Sequence, residues 1–336
     1  MSATFSLQKA YRDVRSLVFP LMDSAAFNRL REISFLGILS PRYADIAKNP
    51  IYKRPTVRNR SLVRDGSRAD HSVGVAILAV QICKSLRLSE EEQKYAAAWG
   101  LLHDLGNWPL SHTAQHAFSE VLGVQTKSLR EWMIVNDKRS PVKYHVADEL
   151  ERSGIEPERL LLLFRKTPDR ALQTVSDIYR NKLTPDMIEG VWRSGRSFGV
   201  ERYDPSDFCS IWHHDLADDY ALRPESINDA VHFWRTKREI YARFFSSSLT
   251  VQFESQWSRA VYAHLLRADT TLEGCLELPE EELVKRVAGD IPKSTEEICR
   301  WKPPVRQVLK KKYPDRLTMD SVNTVFEEES ISKNEL

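Results

Sequence analysis

The sequence is poor in glycine and cysteine. Only 12 of its 336 residues are glycine, about half of the usual share of roughly 7%. Because glycine is the main residue of tight β-turns, this scarcity predicts a mostly helical protein. The four cysteines include no CxxC pair, which argues against a disulfide framework and against a thiolate zinc site. Any bound metal is therefore expected to have nitrogen and oxygen ligands.

The charge is nearly balanced and no long apolar run is present. With 49 Lys and Arg against 47 Asp and Glu, the net charge is +2, which argues against nucleic-acid binding through bulk charge. The hydrophobic and aromatic shares, 42% and 10%, argue against a disordered chain. No segment approaches the roughly 18 apolar residues of a membrane span, and the N-terminus lacks the apolar core of a signal peptide. We expect a cytoplasmic protein without a membrane partner.

Apolar periodicity and helix-capping signals predict an all-α fold. Apolar residues recur at spacings of three and four between Phe19 and Gly37, which predicts a helix there. A capping box at Ser89 predicts a helix that ends at His103 and Asp104. Helices are also predicted over residues 73–86, 111–122, 146–152, 157–166, 185–192, 226–245 and 250–268.

His71 and His103-Asp104 are the strongest candidates for metal ligands. An HD dipeptide alone carries little information, since about half an occurrence is expected by chance. His71, however, begins an apolar helix, and His103-Asp104 ends the next one. An antiparallel helix pair would bring these ends together, and such a mixed set suits Mn, Fe, Zn, Ni or Mg better than a soft metal. Asp218 and Asp219 are the best acidic candidates for a fourth ligand.

Four sequence blocks resemble one family. FNRLREISFLG (27–37), SRADHSVGV (67–75), LLHDLGNWPLSH (101–112) and LADDYALRPESINDAV (216–231) resemble, in order and spacing, the HD-domain deoxynucleoside triphosphate triphosphohydrolases. This family includes bacterial dGTP triphosphohydrolases and the animal dNTP hydrolase with a sterile-alpha-motif domain. The resemblance implies a metal-dependent HD-domain core over 15–232, a C-terminal helical lobe over 233–325 and a disordered tail over 326–336. It also implies a homo-oligomer.

The resemblance assigns roles to individual positions. The implied metal ligands are His71, His103, Asp104 and Asp218, with Asp219 competing for the last place. Arg68 matches an arginine that holds substrate phosphate, and a guanidinium suits that task. The implied substrate-binding set also includes Leu36, against the deoxyribose, and Tyr220, near the family's pocket tyrosine. His112 matches a histidine that lines the pocket.

The chain departs from the family pattern after the HD dipeptide. Asn107 replaces a histidine thought to transfer a proton, and Gln115 replaces an acidic residue. Amides can orient a phosphate or a water, but they cannot exchange a proton near neutral pH. Asn107 is therefore expected to bind substrate, and proton transfer is expected from His112, His116 or Glu131.

Three functions remain open from the sequence. The first is a metal-dependent phosphohydrolase acting on nucleotides, most similar to a deoxynucleoside triphosphate triphosphohydrolase with altered acid/base residues. The second is an HD-type phosphodiesterase or nuclease on single-stranded nucleic acid or a cyclic nucleotide, served by the basic loop over residues 53–68. The third is a nucleotide-binding regulatory module without turnover. A di-iron oxygenase would need two more histidines facing the same cavity, and the histidine spacing does not resemble that class.

Overall fold

Helices carry nearly all of the regular structure. The computed structural model describes residues 7–53, 66–135, 142–180, 183–200, 203–214, 220–223, 226–268 and 270–291, and the strands 308–309 and 328–329. The prediction of an all-α fold is confirmed. The helices are α1 (Leu7–Asp23), α2 (Ala25–Asn28), α3 (Arg68–Ser85), α4 (Glu90–Leu102), α5 (Ser111–Leu122), α6 (Thr126–Ile134), α7 (Ala147–Arg152), α8 (Pro157–Phe164), α9 (Gln173–Arg180), α10 (Pro185–Phe198), α11 (Ile227–Ile240), α12 (Ser248–Arg267), α13 (Leu272–Glu277) and α14 (Glu280–Val287).

Short elements connect these helices. Antiparallel pairs form between β1 (Trp212–His214) and β2 (Tyr220–Leu222), and between β3 (Val308–Leu309) and β4 (Glu328–Glu329). A π-helical turn, Tyr241–Phe245, follows α11. The 3-10 turns are Arg29–Arg31, Gly37–Leu39, Pro41–Tyr43, Pro50–Lys53, Arg170–Leu172, Pro205–Phe208 and Ala288–Asp290.

The predicted helix over 19–37 is wrong in its bounds. The observed helix α1 begins at Leu7 and ends at Asp23, with a break in helical geometry at Val18 (φ −141°, ψ 33°) shortly before Pro20. Ser24 is extended, and its side chain caps α2 by accepting a hydrogen bond from the Phe27 amide. The apolar spacing in this segment reflects burial of short turns rather than one continuous helix.

Helices α3 and α4 form the tightly packed pair that supports the site. Each begins with a capping box: Ser67 with Asp70 for α3 and Ser89 with Glu92 for α4, the latter as predicted. A Cβ added at Gly100 would lie 2.7 Å from the Cα of Ala76, so the two backbones are in contact. This approach sets the separation of the ends that carry His71 and His103.

Helix α10 packs against α3. Thr184 caps its start through the Met187 amide, Pro185 occupies the first turn, and Gly199 (φ 70°) ends it in a left-handed conformation. The helix therefore runs beyond Trp192, where the sequence predicted its end. Its first turns face the N-terminal end of α3.

The C-terminal helices pack against helices from earlier in the chain. Helix α12 packs along α5, and α14 packs on α12. The boundary at residue 232 between a core and a C-terminal lobe stays a prediction. Most of the tail over 326–336 lies outside the described residues. Among the described helices, none combines the length and apolar character needed to cross a membrane.

Candidate metal centre

His71 and His103 face each other at the ends of α3 and α4. Their Nε2 atoms are 3.2 Å apart, and the rings meet edge to face with centroids 5.1 Å apart. His71 is buried and belongs to the first turns of α3, while His103 caps the end of α4. The antiparallel arrangement predicted from the sequence therefore brings the two imidazoles together.

Asp104 completes a three-residue group with these histidines. Its Oδ1 is 3.6 Å from Nε2 of His103, and its Oδ2 is 4.0 Å from Nε2 of His71. Among the described residues, these three form the group of histidine and carboxylate side chains whose donor atoms all lie within 4.8 Å of one another. The structure thus assembles three of the four predicted ligands.

Asp186 is a neighbour that sequence reasoning missed. Its Oδ1 lies 3.1 Å from Nε2 of His71 and 3.6 Å from Nε2 of His103. The residue occupies the first turn of α10, and its side chain is half-exposed. The only signal in the sequence was the Thr-Pro-Asp start of a helix, and that signal is common. The predicted fourth ligand, Asp218, and its competitor Asp219 lie outside the described residues.

The spacing of these donor atoms suits one shared divalent cation. Ligand atoms about 2.1 Å from a metal lie roughly 3.0–3.4 Å apart when adjacent and about 4.2 Å apart when opposite. The two Nε2 atoms are 3.2 Å apart and lie 3.1 and 3.6 Å from Oδ1 of Asp186. Nε2 of His71 is 4.0 Å from Oδ2 of Asp104, and Nε2 of His103 is 3.6 Å from Oδ1 of Asp104. Two imidazoles and two carboxylates are also a donor set that suits borderline and hard cations.

Hydrogen bonds on the far side of each ring orient the two histidines. Nδ1 of His103 donates to the Gly100 carbonyl (2.8 Å), and Nδ1 of His71 donates to Oε2 of Glu189 (2.5 Å). Such partners fix the tautomer that leaves Nε2 available to a metal and raise the basicity of the ring. Glu189 is buried and paired in turn with Arg193.

Opposite charges within the centre shift one another's pKa values. Burial by itself lowers the pKa of His71, but the Glu189 and Asp186 carboxylates outweigh it and raise the pKa to about 9. Burial by itself raises the pKa of Asp104 and of Asp186, but their cationic neighbours hold both well below the ordinary range: Arg68 with the histidines for Asp104, and the histidines for Asp186. The metal-free centre therefore holds a proton that a cation would replace.

Arg68 lies at the edge of this centre. Its Nη1 donates to Oδ2 of Asp104 (2.8 Å), and its Nε donates to the hydroxyl of Ser111 (2.9 Å). The guanidinium also lies over the ring of Phe35, 4.9 Å from its centroid, and that ring is beside His71. The residue predicted to hold phosphate is thus fixed next to the candidate ligands.

Aromatic side chains border His103. The ring of Trp99 is parallel to that of His103 at a centroid distance of 5.6 Å and stacks on Tyr179 at 3.7 Å. Trp99 was not among the site residues predicted from the sequence. Its place four residues before His103 on the same helix was the available signal, because residues at that spacing share a helix face.

The predicted proton-transfer residues lie outside the three-residue group. His112 is exposed at the start of α5, with Nδ1 3.4 Å from Oε1 of Gln115. His116 is paired with Glu120 one turn further along that helix. Glu131 accepts two hydrogen bonds from Arg165. Their catalytic roles stay predictions.

The other predicted substrate contacts have different settings. Asn107 is buried, and its Nδ2 has no hydrogen-bond partner among the described residues. Leu36 is 7% exposed and belongs to the core beside Phe35. Tyr220 contributes backbone to β2 opposite His214, and its side chain lies outside the described part of the structure.

Comparisons with known proteins agree with the geometry. The HD domain family matches residues 68–178, a range that contains His71, His103 and Asp104. A deoxynucleoside triphosphate triphosphohydrolase SAMHD1 homolog from Dictyostelium discoideum is 24% identical over 253 residues, which are 73% of this chain and 46% of that protein. The chain thus spans about half the length of this curated relative.

Two solved structures share the fold. A hypothetical protein from Aquifex aeolicus has 20% identity and a TM-score of 0.59, with 80% of this chain and 67% of that chain covered. A phosphohydrolase from Bacteroides thetaiotaomicron has 14% identity and a TM-score of 0.57, with 80% and 65% covered. At these identities the likeness concerns the fold alone.

The helical fold and the His-His-Asp group agree with the match of the HD domain family to residues 68–178. The resemblance predicted from the sequence is confirmed to this extent: the chain is similar to HD-domain proteins, and one of its relatives is named as a deoxynucleoside triphosphate triphosphohydrolase.

Proposed function

We propose that the protein is a metal-dependent phosphohydrolase acting on nucleotides, similar to the deoxynucleoside triphosphate triphosphohydrolases. The observation that carries this proposal is the centre itself: the donor atoms of His71, His103 and Asp104 lie within 4.8 Å of one another, and both Asp186 and Arg68 contact this group. The relative named as a dNTP triphosphohydrolase supports the nucleotide as substrate class.

His71, His103, Asp104 and Asp186 are the proposed ligands. A divalent cation bound by them would supply positive charge to a phosphoryl oxygen and lower the pKa of a bound water. Mn, Fe, Zn, Ni and Mg all remain candidates for this cation. Glu189 holds His71 in the orientation that directs its Nε2 toward the other ligands.

Arg68 and Asn107 are the proposed phosphate contacts. A guanidinium pairs with phosphate oxygens through parallel hydrogen bonds, and Arg68 is held in place by Asp104 and Ser111. The Nδ2 of Asn107 has no hydrogen-bond partner in the described part of the chain, so it is a buried donor that a phosphate oxygen or a water would satisfy. Leu36 and Tyr220 remain proposed sugar-side contacts.

His112 is the favoured proton-transfer residue of the three candidates. His112 directly follows Ser111, whose hydroxyl accepts a hydrogen bond from the proposed phosphate contact Arg68. Glu131 is ion-paired with Arg165, and His116 is paired with Glu120 at the surface. A homo-oligomer and a cytoplasmic location belong to the same proposal.

A product analysis tests this function. The purified protein is incubated with Mn²⁺ and separately with dNTPs, NTPs, nucleoside monophosphates, cyclic nucleotides and single-stranded DNA or RNA, and the products are separated. Release of tripolyphosphate from a dNTP supports the proposal. Shortened oligonucleotides or opened cyclic nucleotides would indicate a phosphodiesterase or nuclease. Tight nucleotide binding without turnover would indicate a regulatory module.

Two variants test whether turnover depends on the candidate metal centre. His103→Ala with Asp104→Ala is expected to abolish turnover. Asp148→Ala, which removes an exposed carboxylate on α7, is the control and is expected to retain it.

A further inference from the structure

The turn after the HD dipeptide has an unusual backbone. Leu110 (φ 62°) and Ser111 (φ 48°) are consecutive non-glycine residues in the left-handed region, which side chains other than glycine rarely adopt. Residues in such conformations persist when the surrounding structure holds them there. The carbonyl of Leu110 is also so close to Gly37 that a Cβ added there would lie 2.3 Å from it.

Glu280 is one of the groups that hold this turn. Its carboxylate accepts a hydrogen bond from the Leu110 amide through Oε2 (2.6 Å) and one from the Ser34 amide through Oε1 (3.0 Å). Glu280 is the first residue of α14 and is 1% exposed. Its neighbour Glu281 instead makes ion pairs at the surface with Arg42 and Lys285.

The hydrogen bonds continue from this turn to the candidate metal centre. The Ser111 hydroxyl donates to the Ser34 carbonyl (2.9 Å) and accepts from Nε of Arg68 (2.9 Å). Nη1 of Arg68 then donates to Asp104. The two backbone segments that Glu280 fixes, at Ser34 and at Leu110, are thus the two segments that place the Ser111 hydroxyl.

We propose that Glu280 is a positioning residue that sets the place of Arg68 through Ser34, Leu110 and Ser111. Glu280 lies far outside the matched HD domain at 68–178. The C-terminal segment therefore helps to place the proposed phosphate contact Arg68. The inference rests on the proposed function, because the phosphate contact of Arg68 is part of that proposal.

Glu280→Gln tests this role, with Glu281→Gln on the same helix as the matched control. Glutamine has one carbonyl oxygen, and its amide nitrogen would oppose a backbone N–H, so one of the two hydrogen bonds is lost. For the dNTP that the wild type hydrolyses, we expect KM to rise at least tenfold and kcat to change less than threefold in Glu280→Gln. Bound Mn²⁺ is expected to be unchanged, and Glu281→Gln is expected to match the wild type.

A second variant keeps the test valid if Glu280→Gln folds poorly. Ser111→Ala removes the next hydrogen bond toward Arg68 without changing the buried carboxylate, and it is expected to raise KM to a similar extent. The double variant is expected to raise KM no more than the larger single effect, because residues acting through one group are not additive. If the two substitutions raise KM independently, so that their effects multiply in the double variant, the proposed connection from Glu280 through Ser111 to Arg68 is overturned.

Binding distinguishes failure of this inference from failure of the proposed function. The dissociation constant of dGTP is measured with Ca²⁺ in place of Mn²⁺, which requires no turnover. A tenfold weakening in Glu280→Gln supports the positioning role even if the wild type hydrolyses no nucleotide. The inference is overturned if folded Glu280→Gln has the KM and dGTP affinity of the wild type, or if the wild type neither binds nor hydrolyses a nucleotide.

Discussion

The Nε2 atoms of His71 and His103 lie 3.2 Å apart although the residues are 32 positions apart in the sequence. Two neutral imidazoles at this distance need a proton or a cation between them, since two lone pairs repel. Carboxylate oxygens of Asp104 and Asp186 lie 4.0 Å and 3.1 Å from Nε2 of His71. The pair of histidines is therefore the core of the candidate metal centre.

Asp186→Asn should weaken Mn²⁺ binding by at least about tenfold, because an amide replaces a charged ligand. Isothermal titration calorimetry measures the affinity. Asp229→Asn changes an exposed aspartate in the first turn of α11 and should bind Mn²⁺ as the wild type does. If Asp218→Asn loses the metal while Asp186→Asn keeps it, the sequence assignment to Asp218 is right and Asp186 is only a neighbour.

Asp186 and the other candidate ligands differ in how far they could be predicted from the sequence. His71 and His103-Asp104 could be predicted because capping signals and apolar runs locate the helix ends that carry them. Asp186 could not, since an acidic residue in the first turn of a helix is explained by the helix dipole alone. Only the packing of α10 on α3 gives it a partner.

The same limit applies to Glu280. In the sequence it is one of three glutamates at a helix start, and the neighbouring Glu281 and Glu282 are indeed at the surface. Its burial depends on a contact with Leu110, 170 positions earlier. The predicted helix over residues 19–37 was wrong for a different reason, because buried 3-10 turns have the same apolar spacing as a helix.

Glu189→Gln should reduce Mn²⁺ affinity by roughly 10- to 100-fold, the usual effect of losing the carboxylate behind a histidine ligand. The hydrogen bond to Nδ1 of His71 would become weaker, and the pairing with Arg193 would be lost. Glu158→Gln, in the exposed first turn of α8, is the control for calorimetry. Equal affinity in all three proteins would show that Glu189 does not orient His71.

Gly100→Ala should loosen the α3–α4 pair. The added Cβ would lie 2.7 Å from Cα and 2.8 Å from the amide nitrogen of Ala76, and a helix backbone cannot yield as a flexible side chain does. We expect a loss of about 1–3 kcal/mol in the free energy of unfolding, typical of overpacking, together with weaker Mn²⁺ binding. Denaturant unfolding measures the first quantity.

Gly289→Ala is the control for this substitution, because an added Cβ there would meet no atom of the described residues within 4 Å. Its free energy of unfolding and Mn²⁺ affinity should equal those of the wild type. Wild-type behaviour of Gly100→Ala would contradict the close approach of the two helices.

The stability of the metal-free protein should fall as the pH rises from about 6.5 to 9. The pKa of His71 is raised from 6.5 to about 9 in the folded state, so the folded state binds its proton more tightly than the unfolded state does. This contribution is complete below pH 6.5 and is lost as the pH passes through 9; its size is of the order of 3 kcal/mol. Denaturant unfolding with a chelator at several pH values measures it.

His71→Gln should remove this particular fall, because glutamine does not titrate. A metal-free wild type whose stability is constant over the same pH window would contradict the proton held between His71 and its carboxylate neighbours.

The most direct test of a catalytic metal at this centre is the metal content of the purified protein, measured together with the products formed from dNTPs. We expect about one divalent metal ion per chain, release of tripolyphosphate, and loss of both in His103→Ala with Asp104→Ala. Full metal content in that folded double variant, or hydrolysis unaffected by it, would contradict a catalytic metal at this centre.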